Sequence, residues 1–192
     1  MDGSITVESE YGKGSTFSFT AMFGASSQDK IVQRDNINAE VMSIPSVRVL
    51  LVEDNAANRF LIRVVLEKFK HEVVEAVDGI EALQIILEDQ FDLILTDVQM
   101  PKLDGYRFTR IIRACEEGKE LDPHLADKLE SNLISNLRQK LHGKHRLVIS
   151  MTANAMSGDK EKCFTAGMDD YLTKPLNQEE LIITLNRWLP GK

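Results

Sequence analysis

From Val47 onward the chain alternates short apolar runs with stretches whose apolar residues recur at helical spacing. Val47-Arg48-Val49-Leu50-Leu51-Val52 is the nearly continuous run of a strand buried on both faces. Ile62, Val65, Leu66 and Phe69 then fall at i, i+3, i+4 and i+7, one face of a helix. Glu72–Ala76 reads as a second strand, and Ala82, Leu83, Ile86 and Leu87 as a second helix opened by Asp78. Asp92–Thr96 is a third strand, followed by a helix from about Gly105 to Cys115. Arg146–Ser150 is a fourth, a weakly apolar helix covers Ser157–Ala166, and Asp169–Leu172 is a short fifth. Leu181, Ile182, Leu185, Trp188 and Leu189 set the last helix on the core.

Strands alternating with helices in this way predict right-handed crossovers and a parallel sheet covered on both faces. The expected fold class is α/β, a doubly wound five-stranded parallel sheet of the flavodoxin-like order 2-1-3-4-5. The remainder of the chain divides around it. Residues 1–23 hold two alternating runs, Ile5-Thr6-Val7 and Thr16-Phe17-Ser18-Phe19, around a Gly12-Lys13-Gly14 turn, which predicts a β-hairpin. A lone hairpin is marginal in water, so it looks like the end of another domain. Residues 24–46 are polar and irregular and read as a linker.

An insertion at 116–145 separates the third helix from the fourth strand. Asp122-Pro123 is a helix start, and Leu125, Leu129, Leu133, Leu137 and Leu141 recur every four residues as far as Gly143. The expectation is one amphipathic helix over 123–141. Its leucine stripe either packs on the protein's own surface, the favoured reading, or offers a dimer or partner contact.

Composition narrows the function. The chain is 43% hydrophobic and 28% charged, with no run near the roughly 18 apolar residues of a membrane span. Met1-Asp2-Gly3-Ser4 lacks a secretory start, so the chain is expected to be cytoplasmic or to derive from a longer, membrane-anchored parent. A net charge of −7 argues against nucleic acid as a partner. Cys115 and Cys163 lack metal-ligand spacing and read as reduced, structural residues.

In an open α/β sheet, ligands bind beyond the carboxyl ends of the strands. Glu53 and Asp54 follow the first strand, Asp97 the third, Met151-Thr152 the fourth, and Thr173-Lys174 the fifth. Each alone has an ordinary explanation: an acidic loop capping a helix, a loop acid, a turn lysine. Their coincidence on one rim favours function. Clustered carboxylates repel, and a hard divalent ion such as Mg²⁺ relieves that repulsion. A cation, an ammonium and a hydroxyl converging on a carboxylate suit phosphoryl transfer, with Asp97 as nucleophile.

These segments resemble the receiver domains of two-component response regulators. The resemblance rests on Leu51-Val52-Glu53-Asp54-Asn55, on Thr96-Asp97-Val98-Gln99-Met100-Pro101-Lys102-Leu103-Asp104-Gly105, on Met151-Thr152-Ala153 and on Gly167-Met168-Asp169-Asp170-Tyr171-Leu172-Thr173-Lys174-Pro175. The Glu-Asp-Asn start looks most like receivers of hybrid histidine kinases. The resemblance implies a His-to-Asp phosphorelay in which Asp97 is phosphorylated by a histidine kinase or a histidine-containing phosphotransfer protein. It further implies Mg²⁺ held by Asp54, Asp97 and the Gln99 carbonyl, with Glu53 acting through water. Lys174 would contact the phosphoryl oxygens, and Thr152 and Tyr171 would be the switch pair. Gln99 and Asn154 would flank the site.

The first residues, from Asp2 to Phe17, resemble the last strands of a histidine-kinase ATP-binding domain, with Asp2 where a glycine is usual. Gly12-Lys13-Gly14 lacks the strand–loop–helix setting of a phosphate loop, so this chain alone is not expected to use ATP. Three alternatives are weaker. A haloacid-dehalogenase-like phosphatase needs an acid where Gln99 stands. A degenerate receiver would have unfilled site positions. A transcription factor fits poorly with the acidic charge.

Overall fold

The structure, a computed structural model, describes residues 3–22, 46–127, 129–153 and 157–189, the side chains of 157 and 158 excepted. The expected linker therefore lies almost wholly outside the described residues, as does Asn154. The chain divides into two units, Met1–Ala39 and Glu40–Lys192.

In the first unit, strands β1 (Ile5–Glu10) and β2 (Gly14–Phe19) pair antiparallel. Ile5 stands opposite Phe19 and Val7 opposite Phe17, which places the four large apolar residues on one face of the ribbon.

The second unit is built on β3 (Arg48–Val52), β4 (Glu72–Ala76), β5 (Leu93–Asp97), β6 (Val148–Thr152) and β7 (Asp170–Thr173). They form one parallel sheet in the order β4-β3-β5-β6-β7, the predicted 2-1-3-4-5. Alternate residues of each strand feed two cores. Leu50, Val52, Ile94 and Val148 face α2 (Gly79–Glu88), α3 (Gly105–Glu116) and their Ala82, Leu83, Phe108 and Ile112. Val49, Leu51, Leu93, Ile149 and Leu172 face Ile62 and Leu66 of α1 (Ala56–Lys68) and Leu181 and Leu185 of the last helix (Gln178–Trp188). This double burial is why the strands read as continuous apolar runs.

The helix starts follow from caps. Asn55 accepts from the Ala57 and Asn58 amides, Asp78 from Ile80 and Glu81, Asp104 from Arg107, and Asn177 from Glu179. Three strands, β5, β6 and β7, are shifted towards the C-terminus from their expected spans. Arg146 does not open β6, because its amide donates to Glu116 Oε1 and its carbonyl accepts from Arg113. Thr152 thus ends the strand, as Asp97 ends β5.

The insertion corrects the single helix expected over 123–141. It forms α4 (Pro123–Ala126) and α5 (Ser131–Leu141), with a break between them. The reason is phase. Leucines spaced by four drift about 40° per step, roughly 160° over the stripe, so one straight helix could not turn all five to one surface. The break resets the phase. Leu137 and Leu141 are fully buried, and Leu125, Leu129 and Leu133 pack against the same core. Lys140 Nζ donates to the Leu87 carbonyl at 2.6 Å and Arg107 to the His124 carbonyl, fastening the insertion to α2 and α3. The stripe is therefore packed on the protein's own core, fully at Leu137 and Leu141 and in part at Leu125, Leu129 and Leu133. Helices α6 (Ser157–Thr165) and α7 (Gln178–Trp188) complete the domain.

His71, just before β4, is buried, and its Nδ1 accepts from the Val47 amide at 3.4 Å. Burial pushes its pKa below the ordinary value. The unfolded chain then binds a proton more readily than the folded one, so stability is full above about pH 6.5 and falls below it. Urea midpoints measured at about pH 7.5 and about pH 5.5 should drop more for wild type than for His71→Gln. Equal drops would show that His71 is not the titrating group.

Candidate functional site

The turns after β3, β5, β6 and β7 converge on a cleft of about 910 Å³. Asp54, Asp97, Gln99, Thr152 and Lys174 line it. Glu53 lies beneath, fully buried. Carboxylate oxygens of Glu53, Asp54 and Asp97 all lie within 4.8 Å of one another, with Asp54 the exposed member. At such a spacing each like-charge pair costs about 3 kcal/mol at an effective dielectric near 20.

Lys174 offsets part of this repulsion. Its Nζ lies 2.6 Å from Glu53 Oε2 and 2.8 Å from Asp97 Oδ2, and its side chain is 18% exposed. Burial alone would lower the ammonium pKa. The hydrogen bonds and charges of Asp97 and Glu53 outweigh that, and the value stands above that of an ordinary lysine. The Lys174 amide donates to the Thr152 carbonyl at 2.7 Å, which ties the two rim segments together.

Asp97 is held on two sides. Its Oδ1 accepts from the Gln99 amide at 3.3 Å. Its carbonyl meets Gly105 so closely that a Cβ there would lie 2.2 Å away, which explains the glycine after Asp104. The loop between them is anchored by Lys102, whose Nζ pairs with the buried Asp78 at the start of α2. That ammonium and the Ile80 and Glu81 amides hold the Asp78 carboxyl below the usual range against the opposing effect of burial.

The donor set suits a hard divalent cation: all oxygen, anionic, and open to solvent on the Asp54 side. An octahedral Mg²⁺ spans about 4 Å between opposite oxygens, so the cluster is close to the right size. Of the residues picked from the sequence, Glu53, Asp54, Asp97, Gln99, Thr152 and Lys174 are brought together, whereas Met151 is buried in the core, Thr173 bonds Glu180 and Tyr171 stands apart. That ring is half-buried on β7, outside the cleft, edge-on to Phe164 at 6.3 Å with Lys160 Nζ 5.3 Å from its centroid.

Sequence reasoning missed the second wall and the supports. Asp104, Tyr106, Asp159 and Lys162 line the far side of the cleft. Burial and the neighbouring Cys163 push the Tyr106 hydroxyl up to about 12. These residues come from α6 and from α3 with its N-cap, whose approach no local pattern announces. Asn58 and Arg59, which grip the acidic loop, could have been suspected as polar residues in the first turn of a helix that follows two acids.

The family model described as response regulator receiver domain matches residues 49–121. The receiver domain of the sensor histidine kinase PA1611 from Pseudomonas aeruginosa PAO1, solved with magnesium in its active-site cleft, is 35% identical. The match covers 76% of this chain and 98% of that one, with a TM-score of 0.55. The chain belongs to the response regulator receiver family. A co-crystal structure from Saccharomyces cerevisiae of the phosphotransfer protein Ypd1 with the Ssk1 receiver domain matches with a TM-score of 0.61 at 30% identity, covering 76% of this chain and 90% of that one. The Escherichia coli sensor protein ArcB is 32% identical over 188 residues, 98% of this chain and 21% of ArcB. The receiver-family chain spans about a fifth or less of the length of the curated relatives it matches. Among its described residues no helix is long and apolar enough to cross a membrane.

Proposed function

We propose that this receiver domain accepts a phosphoryl group on Asp97 from a phosphohistidine, beside a bound Mg²⁺. The observation that carries the reading is Lys174 bridging Glu53 and Asp97 at the mouth of a cluster of three carboxylates. Asp54 and Asp97 would ligate the ion, with the Gln99 carbonyl beside them. Glu53 would reach it through water, because Lys174 takes its Oε2 and Asn58 and Asn55 take its Oε1. When bound, Mg²⁺ supplies positive charge for the phosphoryl oxygens.

The residues of the chain do the rest. A carboxylate oxygen of Asp97, oriented by the Gln99 amide, forms the new bond to phosphorus as the bond to the histidine nitrogen breaks and the imidazole leaves. Lys174 is placed to shift from the free carboxylate to the transferred oxygens, which keeps their charge paired. Thr152, buried at the end of β6, lines the same cleft and offers its hydroxyl. Tyr171 would report the change at the β7 surface. Its half-buried ring lies against Phe164 and Lys160 of α6.

The likeness to a receiver crystallised with Ypd1 supports a histidine-bearing phosphotransfer protein, or a histidine kinase, as donor. Similarity to ArcB along nearly the whole chain supports a hybrid sensor kinase as parent, with the β1–β2 hairpin as the last strands of its ATP-binding domain. The hairpin's single apolar face fits such an origin, since it needs other strands or helices to bury it.

Incubation with acetyl phosphate and Mg²⁺ should label the chain, and a chelator should reduce labelling to background. Labelling that is unchanged by the chelator would remove the metal from this account.

A further inference from the structure

The acidic loop between β3 and α1 is only Glu53-Asp54-Asn55, yet it carries two of the three clustered carboxylates. Two side chains from the first turn of α1 grip it. Asn58 Nδ2 donates to Glu53 Oε1 at 3.1 Å. Arg59 Nη1 donates to the Glu53 carbonyl at 2.7 Å and the Asp54 carbonyl at 3.3 Å. Arg59 is itself anchored, with Nε 3.3 Å from Glu75 Oε2 on β4 and its side chain 16% exposed. The other Glu75 oxygen pairs with Arg63 at 2.7 Å.

We propose that Asn58 and Arg59 are positioning residues that preset the acidic loop for its divalent cation. The proposal rests on the reading of Glu53, Asp54 and Asp97 as a Mg²⁺ site. The physical case is one of geometry. Mg²⁺ demands near-ideal octahedral coordination, so its affinity responds to small displacements of its ligands. A peptide whose carbonyl accepts a charge-assisted hydrogen bond cannot rotate without breaking it. Arg59 applies that restraint to both successive peptides that carry the acids, from a base fixed to the neighbouring strand. Asn58 applies it to the Glu53 carboxylate itself. Neither touches Asp97 or the far wall of the cleft in any contact seen here. Their effect should therefore appear in metal affinity before it appears in the chemistry.

Outer partners of metal ligands typically contribute ~10-fold to ~100-fold in affinity. Arg63 is the natural comparison, because it shares Glu75 but its other partner is Glu67, outside the loop. Calorimetric titration of MgCl₂ into the full chain should show Asn58→Leu and Arg59→Gln each weakening binding about tenfold. Arg63→Gln should stay within about twofold of wild type. Should Arg59→Gln fail to give a cooperative melt, Arg59→Lys keeps the charge and most of the stem. Its single ammonium cannot span both carbonyls and Glu75, so it should also bind Mg²⁺ more weakly. Wild-type affinity in both Asn58→Leu and the folded Arg59 variant would overturn the proposal. So would an equal loss in Arg63→Gln, which would trace the effect to Glu75 rather than to the loop. Failure of the wild-type chain to bind Mg²⁺ would instead overturn the site reading, and the positioning role with it.

Discussion

Lys174→Met should destabilise the metal-free chain by about 3 kcal/mol and make its stability far more dependent on Mg²⁺ than that of wild type. The ammonium is the one cation seen between Glu53 and Asp97 among the described residues, and both carboxylates are nearly buried. Removing it leaves two anions facing each other with a third nearby, the situation in which a broken buried pair costs most. A divalent ion can restore the lost neutralisation, so thermal melts with and without Mg²⁺ should diverge more for the variant. The same substitution should slow labelling by acetyl phosphate by about a hundredfold or more, since a positioned charge on the transferred oxygens is lost. Similar melts for variant and wild type in metal-free buffer would show that the acids are not pressed together as the geometry indicates.

The second large effect concerns the insertion. Leu141→Ala should cost about 3 kcal/mol in urea unfolding, within the range for emptying a fully buried leucine site, and Leu137→Ala a similar amount. Both side chains close the core over α2 and α3, alongside Phe108 and Ile112. A stripe kept for a partner would behave otherwise. Truncation would then cost under about 1 kcal/mol and change the oligomeric state instead. The helices α4 and α5 are on this view part of the folding unit.

Most of the fold is visible in the sequence because each strand is buried twice. Leu50-Leu51-Val52 and Leu93-Ile94-Leu95 cannot be read as half-exposed, and the caps Asn55, Asp78 and Asp104 mark where the helices begin. The rim acids follow from that reading, since strand ends define the rim. What stayed hidden depends on contacts between distant segments. The break after Ala126 follows from the drift of the four-residue leucine spacing, but where it falls is set by packing against α2 and α3. The displacement of β6 comes from Arg113 and Glu116, on another helix, taking the backbone groups of Arg146. Tyr106, Asp159 and Lys162 reach the cleft only because α3 and α6 close over one end of the sheet. Tyr171 shares a face of β7 with Thr173, two residues on, and its ring is taken by Phe164 and Lys160 of α6, apart from the cleft that Lys174 lines.

The central claim is that Asp97, among the acids of the rim, is the phosphoryl acceptor. Mass mapping of the chain after treatment with acetyl phosphate and Mg²⁺ tests it most directly. The label should sit on the peptide that carries Asp97, and Asp97→Asn should show none there. A label found on Asp54 or Glu53, or one that persists in the Asp97→Asn chain, would contradict the account.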